Sequence, residues 1–247
     1  MKLFKATLLL AYITLVLCDD VRSQSTFFLD KGAELGLISE YPFLHGFGAH
    51  YYSNFEPDSS FKNACEKALV ELNSNLFLSV YIEEFKTGSE IDFSFPEISI
   101  RDSILQFDEH VVKLDSFLIA DQAYCVVSFS DFETKSLQLE LPSFQELKRR
   151  PVKQGNIWFA LGAVKNSRFN QTNSWIKAKN EAIMDLSRVI KTSIQSSTIT
   201  TKDRSAELTY IKSSVIFEDL IVIRRFISED HLIVMIAVPE EQIFVYR

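Results

Sequence analysis

Glycine is scarce in this sequence, with 7 residues in 247, under half of the roughly 7% usual in soluble proteins. That counts against collagen-like repeats, flexible linkers and nucleotide-binding folds, whose phosphate loops use glycines in groups. An excess of positive charge is missing too. The 26 Lys and Arg face 33 Asp and Glu, a net charge of −7, which argues against a surface held to nucleic acid by phosphate contacts. After the first two dozen residues no apolar run approaches the roughly 20 residues needed to span a bilayer. What the chain does have is 47% apolar residues and 21 Phe, enough to bury a core and too many for a disordered chain.

Lys2 and Lys5 precede an apolar stretch over residues 6–17, the length of a signal-peptide hydrophobic region. Val21-Arg22-Ser23 then offers small or permissive side chains before a cut. Residues 1–23 are therefore expected to be a signal peptide, with the mature chain starting at Gln24. The alternative is a lipobox, Leu15-Val16-Leu17-Cys18, in which Cys18 would be lipidated. Leu17 stands where Gly, Ala or Ser is usual, which favours ordinary cleavage over a lipid anchor. Either route exports the chain, and no transmembrane helix is expected in the mature protein.

Sliding the sequence along itself by 114 positions lays residues 44–82 over 158–196 without a gap. Nine pairs are identical, among them Gly48/Gly162, Ala49/Ala163, Ser60/Ser174, Ala64/Ala178, Ala68/Ala182 and Leu72/Leu186. The match resumes at an offset of 108, where residues 124–129 lie over 232–237. The expectation is a tandem duplication, a first unit over 24–141 with its N-terminal extension and a second over 157–247. Residues 142–156 hold two prolines and the basic run Lys148-Arg149-Arg150, and are expected to be the linker.

Each copy reads as one supersecondary unit. Short apolar runs over 43–49 and 157–163 end in Gly-Ala and suit first strands. Ser60 and Ser174 stand where helix N-caps are expected. Phe61, Ala64, Ala68, Leu72 and Leu76 then recur every three or four residues, as do Trp175, Ala178, Ala182, Leu186 and Ile190, the signature of an amphipathic helix. The paired alanines would let each helix approach its sheet closely. Beyond the helices the period becomes 2 over 76–83 and 190–196, predicting a strand in both copies. Further strands are expected over 90–95, 111–119 and 124–129, over 208–217, 220–227 and 232–238, and in last runs at 137–141 and 243–245. The fold class is α+β, one helix on an antiparallel sheet, used twice.

A strand ending in Gly-Ala, a spacer, the helix Ala64-Cys65-Glu66-Lys67-Ala68-Leu69-Val70-Glu71-Leu72 running into a strand, and a final hairpin together resemble the LPP-twenty lipoprotein family of bacterial cell envelopes. Trp158-Phe159-Ala160-Leu161-Gly162 with residues 178–186 repeat the pattern. The resemblance extends to the N-terminal domain of the flagellar T-ring protein. It implies a small module at the envelope without enzymatic activity, acting through protein contacts. The sequence departs from it in carrying two units and a poor lipobox.

Residues with chemical potential are few. His45 and His50 lie five apart near a strand and are expected to point to opposite faces, so no metal pair is predicted. Gly46-Phe47-Gly48 lacks the third glycine and the adjacent helix of a phosphate loop. Glu83-Glu84 and Glu240-Glu241 are neighbours that face opposite sides of a strand, unsuited to acid and base work. Asn170-Gln171-Thr172 is an N-glycosylation sequon, incidental in a bacterial protein. Cys65 and Cys125 both fall in the first unit, and an oxidising compartment would permit them to pair. Their counterparts are Lys179 and Ile233, so the unit does not demand a bridge.

Alternation over 76–83 puts Phe77 and Tyr81 on the strand face away from the helix, where the aligned positions of the second copy are Lys191 and Gln195. Phe77 and Tyr81 are therefore the candidate interaction residues, to be covered by the second unit or by a partner. The expected function is that of an exported protein, periplasmic or associated with the outer membrane, working through contact with another envelope component or a second copy. The alternative is a small-ligand binding protein using a cleft between the two units. No enzyme activity, cofactor or nucleic-acid partner is expected.

Overall fold

The computed structural model of the chain describes residues 36–87, 90–100, 110–132, 137, 139–167, 170–196, 208–228 and 230–246. Cys18, the lipobox and the expected cleavage site after Ser23 lie outside the described residues. In chain order the elements are β1 (Gly36–Glu40), β2 (His45–Tyr51), α1 (Pro57–Leu76), β3 (Phe77–Thr87), β4 (Glu90–Ile100), β5 (Val111–Ile119), β6 (Gln122–Phe129) and α2 (Phe144–Arg149). Then follow β7 (Val152–Gln154), β8 (Ile157–Lys165), α3 (Gln171–Ser196), β9 (Leu208–Glu218), β10 (Ile221–Ile227), β11 (His231–Pro239), a 3-10 turn (Glu240–Gln242) and β12 (Ile243–Tyr246). The fold is α+β, with antiparallel sheets ordered β1-β10-β11-β8-β7, β12-β9-β3-β4 and β2-β6-β5.

Three of the scarce glycines fix how the long helices sit. A Cβ on Gly48 would lie 1.8 Å from the Ala64 carbonyl oxygen, one on Gly46 1.9 Å from that of Ala68, and one on Gly162 1.9 Å from that of Ala178. No side chain fits there, so the backbones of α1 and α3 rest directly on β2 and β8. Ala64, Ala68, Ala178 and Ala182 are fully buried in these contacts, because anything larger would force helix and strand apart. Both halves thus place a helix on three strands of like order, α1 on β2-β6-β5 and α3 on β8-β11-β10.

The layers interlock more than two separate units would. α3 has the five-stranded sheet on one side. On its other side lies the β2-β6-β5 sheet, met through the Trp175 and Phe47 rings at 5.8 Å and the Tyr124 hydroxyl, which donates to Gln171 Oε1 at 2.7 Å. β1, from the N-terminal extension, pairs with β10 of the second half. β3 and β9 pair along their whole length, Phe77 opposite Glu218 and Thr87 opposite Leu208, so the four-stranded sheet takes two strands from each half. Leu78, Val80, Ile82, Val215 and Phe217 bury its inner face in the main core.

Several expectations need correction. Residues 190–196 belong to α3 and not to a strand. Leu186, Ile190 and Ile194 recur every four residues, a spacing that continues a helix stripe and also satisfies a period of 2. Lys191 and Gln195 are consequently helical, and they are not strand counterparts of Phe77 and Tyr81. Ser60 and Ser174 lie one turn inside their helices. Ser60 Oγ donates to the Glu56 carbonyl at 3.1 Å and accepts from the Ser53 amide at 3.0 Å, while Ser174 Oγ donates to the Asn170 carbonyl at 3.2 Å. Pro57, favoured at the first helical position, starts α1 earlier than the serine suggests. The described residues of 137–141 form no strand. Leu137, Leu139 and Leu141 nonetheless pack on the apolar cluster around Phe159, Ile223 and Met235, so their alternation records burial without a ladder. The expected linker, 142–156, is built into the second half. Its α2 buries Leu147 on the back of the five-stranded sheet, and its β7 pairs with β8.

Candidate functional site

Three features stand at the junction of the halves, namely a buried polar cluster, a cleft and the outer face of the shared sheet. The cluster starts from neighbouring arginines on β10. Adjacent strand residues face opposite sides, so when Arg224 reaches the surface pair with Glu40 at 2.7 Å, Arg225 is driven inside, where it is 1% exposed. Its Nη2 donates to Glu71 Oε2 of α1 at 2.8 Å, its Nη1 donates to His45 Nε2 of β2 at 2.7 Å, and its guanidinium carbon stands 4.5 Å from the centre of the Phe47 ring. Glu71 Oε2 also accepts the Phe47 amide at 2.6 Å. From α3, Lys179 Nζ donates to Ser74 Oγ at 2.7 Å and Asn75 Oδ1 at 2.8 Å and lies 3.7 Å from Glu71 Oε1.

The charges follow from these contacts. Burial alone would raise the Glu71 carboxyl, but the Arg225 and Lys179 charges and the Phe47 amide together hold it below the usual carboxylate range. Burial, reinforced by the Arg225 charge, pushes His45 down to about 3. His45 is therefore the neutral tautomer at physiological pH, Nδ1–H donating to the Phe43 carbonyl at 2.9 Å and Nε2 accepting from Arg225. Burial and repulsion from Arg225 lower Lys179, and Glu71 offsets this only in part. Every member of the cluster is held by a neighbour, and the arrangement clamps β2, α1, α3 and β10 together.

A disulfide joins Cys65 of α1 to Cys125 of β6, tying the first helix to its sheet. At the aligned helix position the second half carries Lys179, so a covalent staple in one half corresponds to the cross-half lysine in the other. A second polar tie lies nearby. Lys67 Nζ donates to the Ala49 carbonyl at 3.1 Å, His50 Nδ1 at 3.0 Å and Thr172 Oγ1 at 3.3 Å. His45 and His50 point into separate surroundings. Among the described residues no group of three His, Cys, Asp or Glu side chains is placed to hold a metal ion. Asn170 and Thr172 of the sequon are engaged at the start of α3, the first accepting the Asn173 amide at 3.4 Å and the second donating to the Ala49 carbonyl.

The cleft has a volume of about 670 Å³. Its lining comes from both halves, with Phe43, Leu76, Phe129 and Phe132 on one side and Asp219, Ile221 and Glu241 on the other. The outer face of the shared sheet carries Phe77 and Tyr81 of β3, both half-buried, because Leu78, Val80 and Ile82 point inward. Register places Tyr246, Ser214, Tyr81 and Glu97 in one row across the sheet and Phe244, Ile216, Ser79 and Ser99 in the next. Phe244 is 38% exposed and Tyr246 56%, so an aromatic face runs across strands of both halves.

Sequence reading passed over Glu71, Lys179, Arg225 and the buried role of His45. The available signals were the Arg224-Arg225 pair inside an apolar strand and a lysine aligned with Cys65 on a buried helix stripe. Phe244 and Tyr246 were missed because their face is defined only by the β12–β9–β3 register. Among the described residues no helix is long and apolar enough to cross a membrane. No protein-family model matches this chain, and no curated protein or solved structure matches it significantly.

Proposed function

We propose that this chain is an exported envelope protein of the LPP-twenty type, a tandem duplication without enzymatic activity that works through protein contact on the outer face of its shared sheet. One observation carries the reading. Phe77, Tyr81, Phe244 and Tyr246 line the face of a sheet whose other side is already buried in the core. Half-buried Phe77 and Tyr81 beside exposed Phe244 and Tyr246, set among Ser and Glu, have the composition of a contact surface, apolar anchors within a polar rim. The like placement of α1 and α3 on glycine-bearing strands supports the duplication. The LPP-twenty resemblance rests on the residues quoted for it, and the family's setting is the periplasm or the outer membrane.

The test is a pull-down from envelope extracts, with light scattering on the purified protein to register self-association. Phe77→Lys with Tyr81→Gln should abolish a specific partner or the dimer while leaving the urea unfolding midpoint within error. Retention of every partner by a folded double variant would contradict the reading. A second reading, a small-ligand binding protein, is favoured by the cleft, whose volume falls within the roughly 300–1,000 Å³ of ligand pockets.

A further inference from the structure

The two halves differ at one sheet edge. β5 and β10 hold the same place, each the outer strand of the three on which a long helix rests. The glycines under the helices set the match between them. Gly48 lies opposite Cys125 and Gly162 opposite Val234, one residue beyond the offset expected from the sequence, and a one-residue slip would turn every side chain to the other face. Carried outward, this register puts Ser116 at the place of Arg225, Asp115 at that of Arg224 and Phe117 at that of Phe226. The irregularities coincide as well, at Lys113/Asp115 in β5 and Val222/Arg224 in β10.

β10 takes β1 along its outer edge, with Leu37 opposite Phe226 and Glu40 opposite Arg224, the two charges paired at 2.7 Å. β1 shifts register between Leu37 and Ser39, so the bulge in β10 does not bar a strand. Among the described residues β5 has no strand on its outer edge. The unpaired amides and carbonyls of such an edge are a template for an added strand. Asp115 is exposed, and Leu118 and Ile119 are 46% and 37% exposed. The open edge therefore carries a charge and then apolar side chains, in the order that β10 has beneath β1, with the sign of the charge reversed.

We propose that the outer edge of β5 takes up an antiparallel extended segment of a partner protein, with an apolar residue opposite Phe117 and a basic residue opposite Asp115. This surface belongs to another sheet than the aromatic face carrying Phe77 and Tyr81, and the two contacts are independent.

Amide NMR of the purified, isotope-labelled protein, titrated to millimolar concentration with two capped peptides, tests it. One contains Gly-Leu-Ile-Ser-Lys, the β1 sequence with its acid replaced, and the other Gly-Leu-Ile-Ser-Glu. The lysine peptide should shift the β5 amides saturably and bind roughly threefold more tightly than the glutamate peptide, the order of one exposed cross-strand ion pair. Asp115→Arg, which copies the charge of β10, should reverse that preference and leave the unfolding midpoint within error. Shifts confined to residues outside β5, or no saturation with either peptide, would overturn the strand-addition site. A preference unchanged by Asp115→Arg would overturn the basic partner.

Discussion

Arg225 Nη2 lies 2.8 Å from Glu71 Oε2, a buried ion pair between residues 154 positions apart in the chain. Removing one partner leaves an uncompensated charge in the interior, which costs about 3–5 kcal/mol. Glu71→Gln should therefore lower the unfolding free energy by roughly that amount. Glu71→Leu with Arg225→Met should lose much less than the two single changes summed. Urea denaturation of wild type, Glu71→Leu, Arg225→Met and the double variant measures this coupling, and additive losses would show that the pair is not coupled.

Acid should unfold the protein in a defined window. Unfolded His45 takes up a proton below its ordinary value of 6.5, whereas in the folded protein it resists protonation down to about 3. Protons thus favour the unfolded chain between those values. The stability this group contributes is present above the upper one and falls by about 1.4 kcal/mol per pH unit on the way down. Glu71, held low in the fold, acts in the same direction at lower pH. Urea midpoints measured from pH 7 to pH 4 should fall steadily, and His45→Asn should reduce the slope by about one proton. An unchanged slope in that variant would remove His45 from the explanation.

Gly48→Ala and Gly162→Ala should each destabilise by at least about 2 kcal/mol, because the added methyl meets a helix carbonyl and no flexible side chain can yield. The two effects should be similar, since the clashes, 1.8 and 1.9 Å, are nearly the same. Thermal denaturation checks both. Tolerance of either alanine would mean that the helix does not rest on the strand backbone in that half.

The disulfide closes a separation of 60 residues, worth roughly 4 kcal/mol by the chain-entropy estimate. Cys65→Ala with Cys125→Ala should lower the urea midpoint accordingly and make it insensitive to reductant. Wild-type protein should move to the same midpoint when reduced. Thiol titration of denatured, unreduced protein should find neither Cys65 nor Cys125 reactive.

Much of the fold was legible because its determinants are local. The glycine and alanine pairs at 48, 64 and 68, and at 162, 178 and 182, predicted close helix-to-strand packing, and backbone contact is what the fold shows. Alternation correctly set the inward face of residues 78–82. Reading failed where one pattern serves two structures, as at Ile190 and Ile194, and where a residue's role depends on the opposite half. Arg225 looks out of place on β10 until Glu71 arrives from α1. Tyr246 and Tyr81 share a face only because β9 lies between their strands. Such pairings over long sequence separation leave no local mark.

The most direct measurement of the central proposal is residue-specific photocrosslinking in cells that make the protein. A photoreactive side chain would be placed at Phe77, Tyr81 or Tyr246, with Val70, exposed on α1, as the control. The expected result is one discrete adduct, a heterologous envelope protein or a dimer of this chain, at all three sheet positions and none at Val70. Adducts that form equally at Val70, or no adduct at any sheet position, would contradict a contact role for the shared sheet.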